Sequence, residues 1–287
     1  MVYLVYVDDS ILIGRDRTKI DAMIENLAID LELTREGDLA AFLGIQINKS
    51  TENGSLKLTQ DEGLIKRVLQ ATGLEDCRAS STPANKETLG TDKDGLPTTE
   101  AWNYRSVVGM LIYLASSSRP EIAFAVHQCA RFCIEPKLSH EQAVKRVARY
   151  LAGTSTTGII YTPDATQSIH CFVDADFAGL WNVGDAQDPI SVMSRTGFVI
   201  CFAGCPLFWL SKLQSEVAIS TTEAEYIALS QSLRDVILFL TFLSSFNVFF
   251  ILLRAKPCCT VLYLRTMLVR LLLLLTTRFV LALNILV

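Results

Sequence analysis

The sequence predicts a mixed fold of β-strands and α-helices, the α/β (α+β) class, on three observations. Two short apolar runs, MVYLV and SILIG, flank an Asp doublet near the start of the chain, and such runs are typical of strands that meet in a hairpin. Apolar residues recur at helical spacing over residues 18–33 and 104–151. Strand-like runs return from His170 onward. We therefore expect sheets and helices in segregated blocks.

The first half of the chain contains the elements of a small sheet and its helices. After the helix predicted over 18–33, the run AFLGIQINKS predicts a strand, Asn53 and Gly54 predict a hairpin turn, and SLKLTQ predicts the returning strand. Residues 61–71 are again typical of a helix. Residues 78–100 are rich in Ser, Thr, Pro, Gly, Asp and Lys, which predicts an exposed linker.

The second half begins with helices and returns to strands. The helical block over 104–151 is interrupted near Pro120 and Pro136, because proline cannot continue a helix. The runs SRTGFVICFAG and PLFWLSKLQ predict a second hairpin, and STTEAEYIALSQ opens a further helix.

Composition restricts the class of protein. At 287 residues, 50% of them apolar, the chain is long enough for two domains with sizeable cores. A net charge of −4 and a pI near 5.5 argue against a globally basic nucleic-acid binder, although a local basic strip is compatible with them. The cysteines form no CxxC pair, and no cleavable signal peptide precedes the first hairpin. We therefore expect reduced thiols in an intracellular protein.

Three potential metal ligands, His127, Cys129 and Cys133, lie close together in the sequence. They fall within a predicted helix and lack a second ligand pair. This pattern favours a structural role over a metal site.

The tetrapeptide YVDD places Asp8 and Asp9 side by side. Adjacent side chains on a strand point to opposite faces, so both carboxylates serve one site only if the chain turns sharply there, as at a hairpin tip. Converging carboxylates bind hard cations such as Mg²⁺, which usually keeps waters and substrate phosphates as its other ligands. The alternative interpretation is an acidic surface turn.

A second set of carboxylates lies in the C-terminal half. Asp174 and Asp176 in VDADFAGLW are two residues apart on a predicted strand and so share a face, while Glu223 and Glu225 lie on the following helix. A strand carboxylate and a helix carboxylate together are suited to hold paired metal ions for phosphodiester hydrolysis. Both Glu residues also match the S/T-x-x-E capping box, in which the side chain only satisfies a backbone N–H.

The helix HEQAVKRVARYL carries a basic strip of Lys145, Arg146 and Arg149 beside an apolar seam. Such a strip suits a phosphate backbone, to which it adds affinity without reading the sequence. The alternative is an ordinary solvated helix face.

In their order along the chain, these motifs resemble the Pol polyprotein of Ty1/copia-type LTR retrotransposons. Order and spacing agree over about residues 1–240. The resemblance implies the C-terminal part of a reverse transcriptase palm over 1–90, a helical thumb or connection over 91–165, and an incomplete ribonuclease H-like domain over 166–240. It rests on YVDDSILIG, FLGIQI, STPA, YRSVVGMLIYLASSSRPEIAFAVHQCARF, AVKRVARYLAGT, VDADFAGLW, SRTGFVI and STTEAEYIALS.

The resemblance also implies roles for particular residues. Asp8 and Asp9 look like the catalytic, metal-binding pair of the polymerase, Asp174 like the first ribonuclease H carboxylate and Glu225 like the second, which leaves Glu223 as the capping residue. The implied cofactor is Mg²⁺ or Mn²⁺, with no small-molecule cofactor. The implied partner is an RNA/DNA hybrid or DNA, met in the cytoplasm, a virus-like particle or the nucleus.

Two departures from the family pattern argue against activity. The family's polymerase site uses a further Asp on a strand upstream of YVDD, and we expect that strand to lie outside this chain. The family's ribonuclease H uses a third carboxylate in a DN motif, whereas no Asp or Glu follows Asp235 here. We therefore expect both metal sites to be incomplete and the chain to be inactive as it stands.

The tail over residues 241–287 has two explanations. Residues 236–253 carry no charge, which by hydropathy alone indicates a membrane segment. With one choice of codons, however, moving the reading frame by one nucleotide within 264–270 gives Glu-Asp-Asn-Ala-Gly-Ala, which contains the missing DN motif. We favour a frame-shifted tail, and residues from about 246 should then form no consistent packing seam.

Three functional interpretations therefore stand. The chain is a decayed reverse transcriptase and ribonuclease H fragment, a non-catalytic nucleic-acid-binding remnant, or a tail-anchored membrane protein, the last being the least favoured. For the ribonuclease H-like unit we expect an antiparallel-led sheet with Asp174 on its central strand and Glu225 approaching from the packed helix.

Overall fold

The structure is a computed structural model that describes residues 1–50, 54–60, 62–164, 166–181, 183, 186–252 and 258–264. The chain divides into two compact units, Met1–Ile47 with Leu240–Val287, and Asn48–Phe239. One boundary between them falls within a strand and the other within a helix. In chain order the elements are β1 (Val2–Tyr6), β2 (Asp9–Gly14), α1 (Arg17–Asp30), β3 (Leu33–Asp38), β4 (Ala41–Phe42), β5 (Ile45–Lys49), β6 (Leu56–Gln60), α2 (Glu62–Thr72), α3 (Tyr104–Ser117), α4 (Ala123–Ala130), α5 (Leu138–Gly153), β7 (Ile159–Tyr161), β8 (Ile169–Asp176), β9 (Arg195–Phe202), β10 (Cys205–Leu213), α6 (Thr221–Leu252) and β11 (Cys258–Leu264).

The first unit contains an antiparallel sheet in the strand order β1-β2-β11-β3. Helix α1 begins after Asp16, whose side chain accepts a hydrogen bond from the Thr18 amide at 3.0 Å, because the first amides of a helix lack partners within it. Ile20 and Ile24 of α1 pack with Leu12 of β2 to form a small core. This core fixes the strand that follows the Asp doublet.

The second unit is built around the helices α2 to α5. Helix α3 is capped by Asn103, and Pro120 opens a short 3₁₀ turn that leads into α4, as expected for a proline that cannot continue a helix. Fully buried side chains from α3 and α5, such as Leu111 and Val144, meet in one apolar core. The predicted helical block and its two interruptions are therefore confirmed.

Residues 78–100, which we call the strap, have no helix or extended strand and are mostly exposed, as predicted. The sequence did not indicate how firmly the strap is attached to the helices. His140 of α5 accepts a hydrogen bond at Nδ1 from the Lys137 amide (2.8 Å), so its Nε2 donates to the carbonyl of Gly90 (2.9 Å). Further anchors join Ser80 to Arg149, Thr82 to Arg146, Leu89 to Arg131, Asp92 to Ser139 and Thr99 to Glu141.

The second unit also contains an antiparallel sheet in the order β10-β9-β8. One face packs on the helical core, where the indole Nε1 of Trp209 donates to the carbonyl of Ala115 at 2.7 Å. The other face carries α6, since buried Gln214 donates from Nε2 to Thr196 Oγ1 (3.2 Å) and to the carbonyl of Ala224 (2.9 Å). The predicted β9–β10 hairpin and the following helix are confirmed.

One structural expectation about the sheet is wrong. Asp174 lies on β8, which is an edge strand rather than the central strand, because among the described residues only β9 pairs with it. The tail contributes one strand, since residues 258–264 form β11 between β2 and β3. The run CCTVLYL is rich in residues that favour strands, and backbone pairing needs no selected side-chain pattern. The expected lack of a consistent packing seam from about residue 246 stays a prediction. Residues 265–287 lie outside the described part of the chain.

Candidate functional site

The Asp doublet lies at the tip of the β1–β2 hairpin, as predicted. Tyr6 pairs with Asp9, so Val7 and Asp8 form a two-residue loop. Val7 has a φ of 55°, in the left-handed region that β-branched residues rarely adopt. Short hairpin loops require such a φ and usually place Gly there. The chain thus turns sharply where two carboxylates need to converge.

The two carboxylates of the hairpin interact electrostatically. Asp8 is exposed and Asp9 is half-buried. Burial raises the pKa of Asp9 above its ordinary value, and the negative charge of Asp8 raises it further. Two repelling carboxylates at an exposed tip suit a divalent cation, whose charge would relieve the repulsion and whose remaining ligands would be water and phosphate. The residues present therefore fit one Mg²⁺ or Mn²⁺.

The strand beside this hairpin carries no carboxylate. β11 pairs with β2 in a register that places Tyr263 opposite Asp9, and its sequence is CCTVLYL. Among the described residues, no three His, Cys, Asp or Glu side chains group as they would around a metal ion. The hairpin pair therefore has two carboxylates and no third from the adjacent strand.

The side chains of β8 alternate between the two faces of its sheet. Phe172, Asp174 and Asp176 are exposed, whereas Cys171 and Val173 are half-buried. Cys171 lies against α6, where burial and the charge of Asp235 raise the pKa of its thiol and a hydrogen bond with Ser232 lowers it. Asp174 is three residues from Cys171 and therefore lies on the face that α6 does not cover.

Glu225 lies exposed near the start of α6. Glu223, two residues earlier, is the capping residue as predicted, because its Oε2 accepts from the Ile219 amide (2.7 Å) while Ser220 Oγ accepts from the Glu223 amide (3.1 Å). This leaves the Glu225 carboxylate without a capping role. Asp174 faces the side of the sheet that α6 does not cover, so the structure does not place it against the helix that carries Glu225.

The basic strip on α5 is partly covered by the strap. Arg146 donates from Nη2 to Thr82 Oγ1 at 2.7 Å, and the carbonyl of Arg149 accepts from the Ser80 amide. Arg149 is exposed, and Lys145 and Arg146 are half-buried. The strip is therefore less open than an ordinary solvated helix face.

The sequence analysis missed two arginines that organise this unit. Arg119 is fully buried and pairs with Glu121 (2.6 Å) while donating to the carbonyl (3.0 Å) and the hydroxyl (2.6 Å) of Thr154, at the end of α5. Arg195 of β9 is buried over the ring of Phe124, and burial lowers its pKa to about 10. Only the charge itself could have drawn attention to them, since an Arg followed by Pro or Thr has no distinctive pattern.

His127, Cys129 and Cys133 are not grouped as metal ligands in the part of the chain that the structure describes. Cys129 is buried, and this burial raises the pKa of its thiol to about 12. Burial, with Arg195 and Lys212 nearby, lowers the pKa of His127 to about 4. The structural role predicted for them agrees with these environments. The six cysteines whose side chains the structure describes are free thiols, as expected.

Helix α6 is also long enough to cross a membrane. Over Thr221–Leu243 its length and composition meet the requirement for a span, and only 11% of the most apolar part is buried in the protein. The core helix of a soluble protein can pass the same test of length and composition, so this finding is weak evidence by itself.

Comparison with known proteins shows similarity to reverse transcriptases and retrotransposon Pol polyproteins. A family model for reverse transcriptase (RNA-dependent DNA polymerase) matches residues 1–86. The chain is 35% identical over 223 residues to the retrovirus-related Pol polyprotein from transposon RE1 of Arabidopsis thaliana, covering 78% of this chain and 14% of that protein. It is 33% identical over 255 residues to the one from transposon TNT 1-94 of Nicotiana tabacum, covering 86% of this chain and 18% of that protein.

A shorter relative matches over nearly its full length. An uncharacterized mitochondrial protein of Arabidopsis thaliana is 33% identical over 231 residues, which cover 80% of this chain and 90% of that protein. No solved structure matches the chain. The chain spans less than a fifth of the length of the two Pol polyproteins. The Asp doublet hairpin lies within the matched reverse transcriptase residues, and the chain belongs to the family of Ty1/copia-type LTR retrotransposon Pol polyproteins.

Proposed function

We propose that this chain is a fragment of a retrotransposon RNA-directed DNA polymerase with a ribonuclease H domain, and that it is inactive as it stands. Residues 1–90 derive from the polymerase palm, 91–165 from a helical connection, 166–240 from the ribonuclease H-like domain and 241–287 from a frame-shifted tail. The Asp8 and Asp9 hairpin is the observation that carries the proposal, because it places two coupled carboxylates at an exposed tip within the reverse transcriptase match.

The roles of the residues follow from their chemistry. Asp8 and Asp9 would hold a Mg²⁺ or Mn²⁺ ion, which when bound supplies charge stabilisation for phosphoryl transfer. Asp174 and Glu225 would form part of the site that cuts RNA in an RNA/DNA hybrid. Lys145, Arg146 and Arg149 would add affinity for the phosphate backbone. The chain would act inside the cell, where such hybrids form.

Two observations support inactivity. The strand beside β2 offers Tyr263 rather than a carboxylate opposite Asp9, and a single hairpin provides too few ligands for the paired ions of two-metal chemistry. Asp174 lies on an edge strand, and α6 with Glu225 packs on the other face. A further strand paired with β8 on the side away from β9 would place additional metal ligands next to Asp174.

A direct assay tests this proposal. Purified chain is incubated with Mg²⁺ or Mn²⁺ and either a labelled primer and template or an RNA/DNA hybrid. We expect no primer extension and at most trace cleavage of the hybrid. Robust polymerisation that Asp8→Asn abolishes would overturn the proposal, because a carboxylate from elsewhere would then complete the site.

A second function, a non-catalytic nucleic-acid-binding remnant, is favoured by the position of Arg149, which is exposed on α5. Retention of the chain on an immobilised hybrid without cleavage would support it. The third, a tail-anchored membrane protein, rests on the poorly buried apolar segment Thr221–Leu243. Membrane association that resists carbonate extraction would support the membrane-protein interpretation. The genomic DNA on both sides of the reading frame would separately identify a decayed retrotransposon.

A further inference from the structure

A cavity of about 940 Å³ lies between the strap and the helices α4 and α5. This volume is within the range that holds small organic ligands. Its wall includes Phe124 and Gln128 of α4 and Ala143, Arg146 and Arg149 of α5. The cavity shares no residue with either carboxylate region.

Two buried donors at this wall have no partner. Gln128 is only 4% exposed, and its Oε1 accepts from Arg131 Nη1 at 2.9 Å, whereas its Nε2 has no hydrogen-bond partner among the described residues. Arg146 binds Thr82 through Nη2, and its Nε is likewise buried and unpartnered within the described part of the chain. Buried donors are rarely left unsatisfied in folded proteins. Their presence at a cavity wall indicates a ligand with acceptor atoms.

The lining restricts the chemistry of that ligand. Arg146 and Arg149 provide two guanidinium groups on one helix, and guanidinium groups favour phosphate oxygens. Phe124 is 42% exposed, and although Arg195 lies over its ring, the exposed part offers aromatic surface that a planar base can contact. The carboxylates of Glu87 and Asp92 also border the cavity, but both lie on the strap, and Asp92 already accepts a hydrogen bond from Ser139.

We propose that this cavity binds a nucleoside phosphate, either as a free nucleotide or as one unit of a single strand. The phosphate lies on Arg146 and Arg149, and the base lies on Phe124 with its acceptor atoms toward Gln128 Nε2. This site deepens the proposed function and rests on it for the phosphate contacts of Arg146 and Arg149, to which it adds a base-binding wall of Phe124 and Gln128.

The test uses the full chain with two probes, a fluorescent dATP analogue for the free nucleotide and a fluorescein-labelled (dT)₁₅ strand for the single-strand source. Arg149→Ala removes one guanidinium while leaving the backbone bond to Ser80 in place. Ala143→Phe fills the cavity without changing charge. The matched control is Arg67→Ala, which removes an exposed arginine of α2 outside the cavity lining.

We expect Arg149→Ala and Ala143→Phe each to weaken binding of at least one probe roughly tenfold or more, with Arg67→Ala within about twofold of the parent. The probe that responds identifies the source of the phosphate. Circular dichroism melting of each variant verifies folding. If Ala143→Phe does not fold, Ala143→Leu takes its place as the cavity-filling variant.

Three outcomes would overturn the proposal. In the first, Arg149→Ala and Arg67→Ala weaken probe binding equally. In the second, a folded cavity-filling variant binds the probes as well as the parent, and in the third, a polyglutamate peptide binds the parent as tightly as the probes do. Failure here would overturn the assignment of a nucleoside phosphate to this cavity, whereas the primer-extension and hybrid-cleavage assays test the two carboxylate regions. The two failures are therefore distinguishable.

Discussion

The two carboxylate regions of this protein differ in what brings their charges together. At the hairpin tip, Asp8 and Asp9 are neighbours in sequence, and beyond the effect of burial the charge of Asp8 helps to raise the pKa of Asp9. In the second region, Asp174 and Glu225 are far apart in sequence, and Asp174 faces the side of its sheet that α6, which carries Glu225, does not cover. A local pair of carboxylates therefore depends on one turn, whereas a tertiary pair depends on how elements distant in sequence pack together.

The largest expected effect comes from restoring what the second region lacks. Returning residues from 264 onward to the other reading frame should supply a third carboxylate near position 267, and among the described residues no strand occupies the edge of β8 where the strand that carries it would pair. We expect cleavage of an RNA/DNA hybrid to rise roughly 10³-fold, since the metal site gains a ligand. The measurement is release of labelled RNA in Mg²⁺ or Mn²⁺.

Two variants of the repaired chain sharpen the result. Asp174→Asn and Glu225→Gln should each abolish the restored cleavage, while Asp176→Asn serves as the matched control on the same face of β8. If the repaired chain remains inert while the unrepaired tail inserts stably into bilayers, the membrane interpretation displaces the frameshift interpretation.

The same contrast explains what the sequence could predict. The hairpin, the helix interruptions at Pro120 and Pro136, and the Glu223 cap are determined within a few residues, so propensity and turn chemistry were sufficient. The edge position of Asp174 and the insertion of β11 depend on which strands pair over long separations. Such pairing leaves no signal in either strand alone.

The anchoring of the strap also escaped prediction, for a related reason. Its contacts use backbone carbonyls, such as those of Leu89 and Gly90, and common polar side chains. A segment rich in Ser, Thr and Pro has the same composition whether it is free or tied down. Whether the strap is free or attached depends on partners such as Arg131, His140 and Glu141, which the helical part of the unit presents to it.

A smaller effect tests how far the second region depends on tertiary anchors. Trp209→Phe keeps an aromatic side chain but removes the pyrrole part of the indole with the Nε1–H that donates to the Ala115 carbonyl, so we expect a loss of about 1–2 kcal/mol in the free energy of unfolding. NMR chemical shifts of β8 and β9 should change, whereas those of the β1–β2 hairpin should not. Equal changes at both places would show that the hairpin is not locally determined.

The backbone of the hairpin itself provides the next test. Val7 holds a φ of 55°, which costs a side-chain-bearing residue about 1–2 kcal/mol, while Gly adopts it freely but loses about 0.5–1 kcal/mol of entropy on folding. Val7→Gly should therefore stabilise the protein by about 0.5–1 kcal/mol in urea unfolding. Val5→Gly, within β1, is the matched control and should destabilise it. Loss of stability in Val7→Gly would mean that the Val7 side chain is held by packing.

The smallest effect concerns the coupling between the two hairpin carboxylates. Asp8→Asn removes the charge that helps to raise the pKa of Asp9, although burial contributes more, so the pKa of Asp9 should fall only part of the way to its ordinary value. An acid whose pKa is raised on folding binds its proton more tightly in the folded state. Stability is therefore lost as pH rises from the pKa of Asp9 in the unfolded state through its pKa in the folded state. Asp8→Asn should lose less stability over this pH range than the parent protein.

NMR titration of the Asp9 carboxyl carbon, with urea unfolding at several pH values, measures both quantities. The matched control is Asp30→Asn, an exposed carboxylate at the end of α1, which should leave the Asp9 titration unchanged. Asp8→Asn should also weaken Mn²⁺ broadening of the hairpin signals, because one of two ligands is gone. An unaltered Asp9 titration in Asp8→Asn would mean that the carboxylates point apart, and the hairpin would then be an acidic turn rather than half of a metal site.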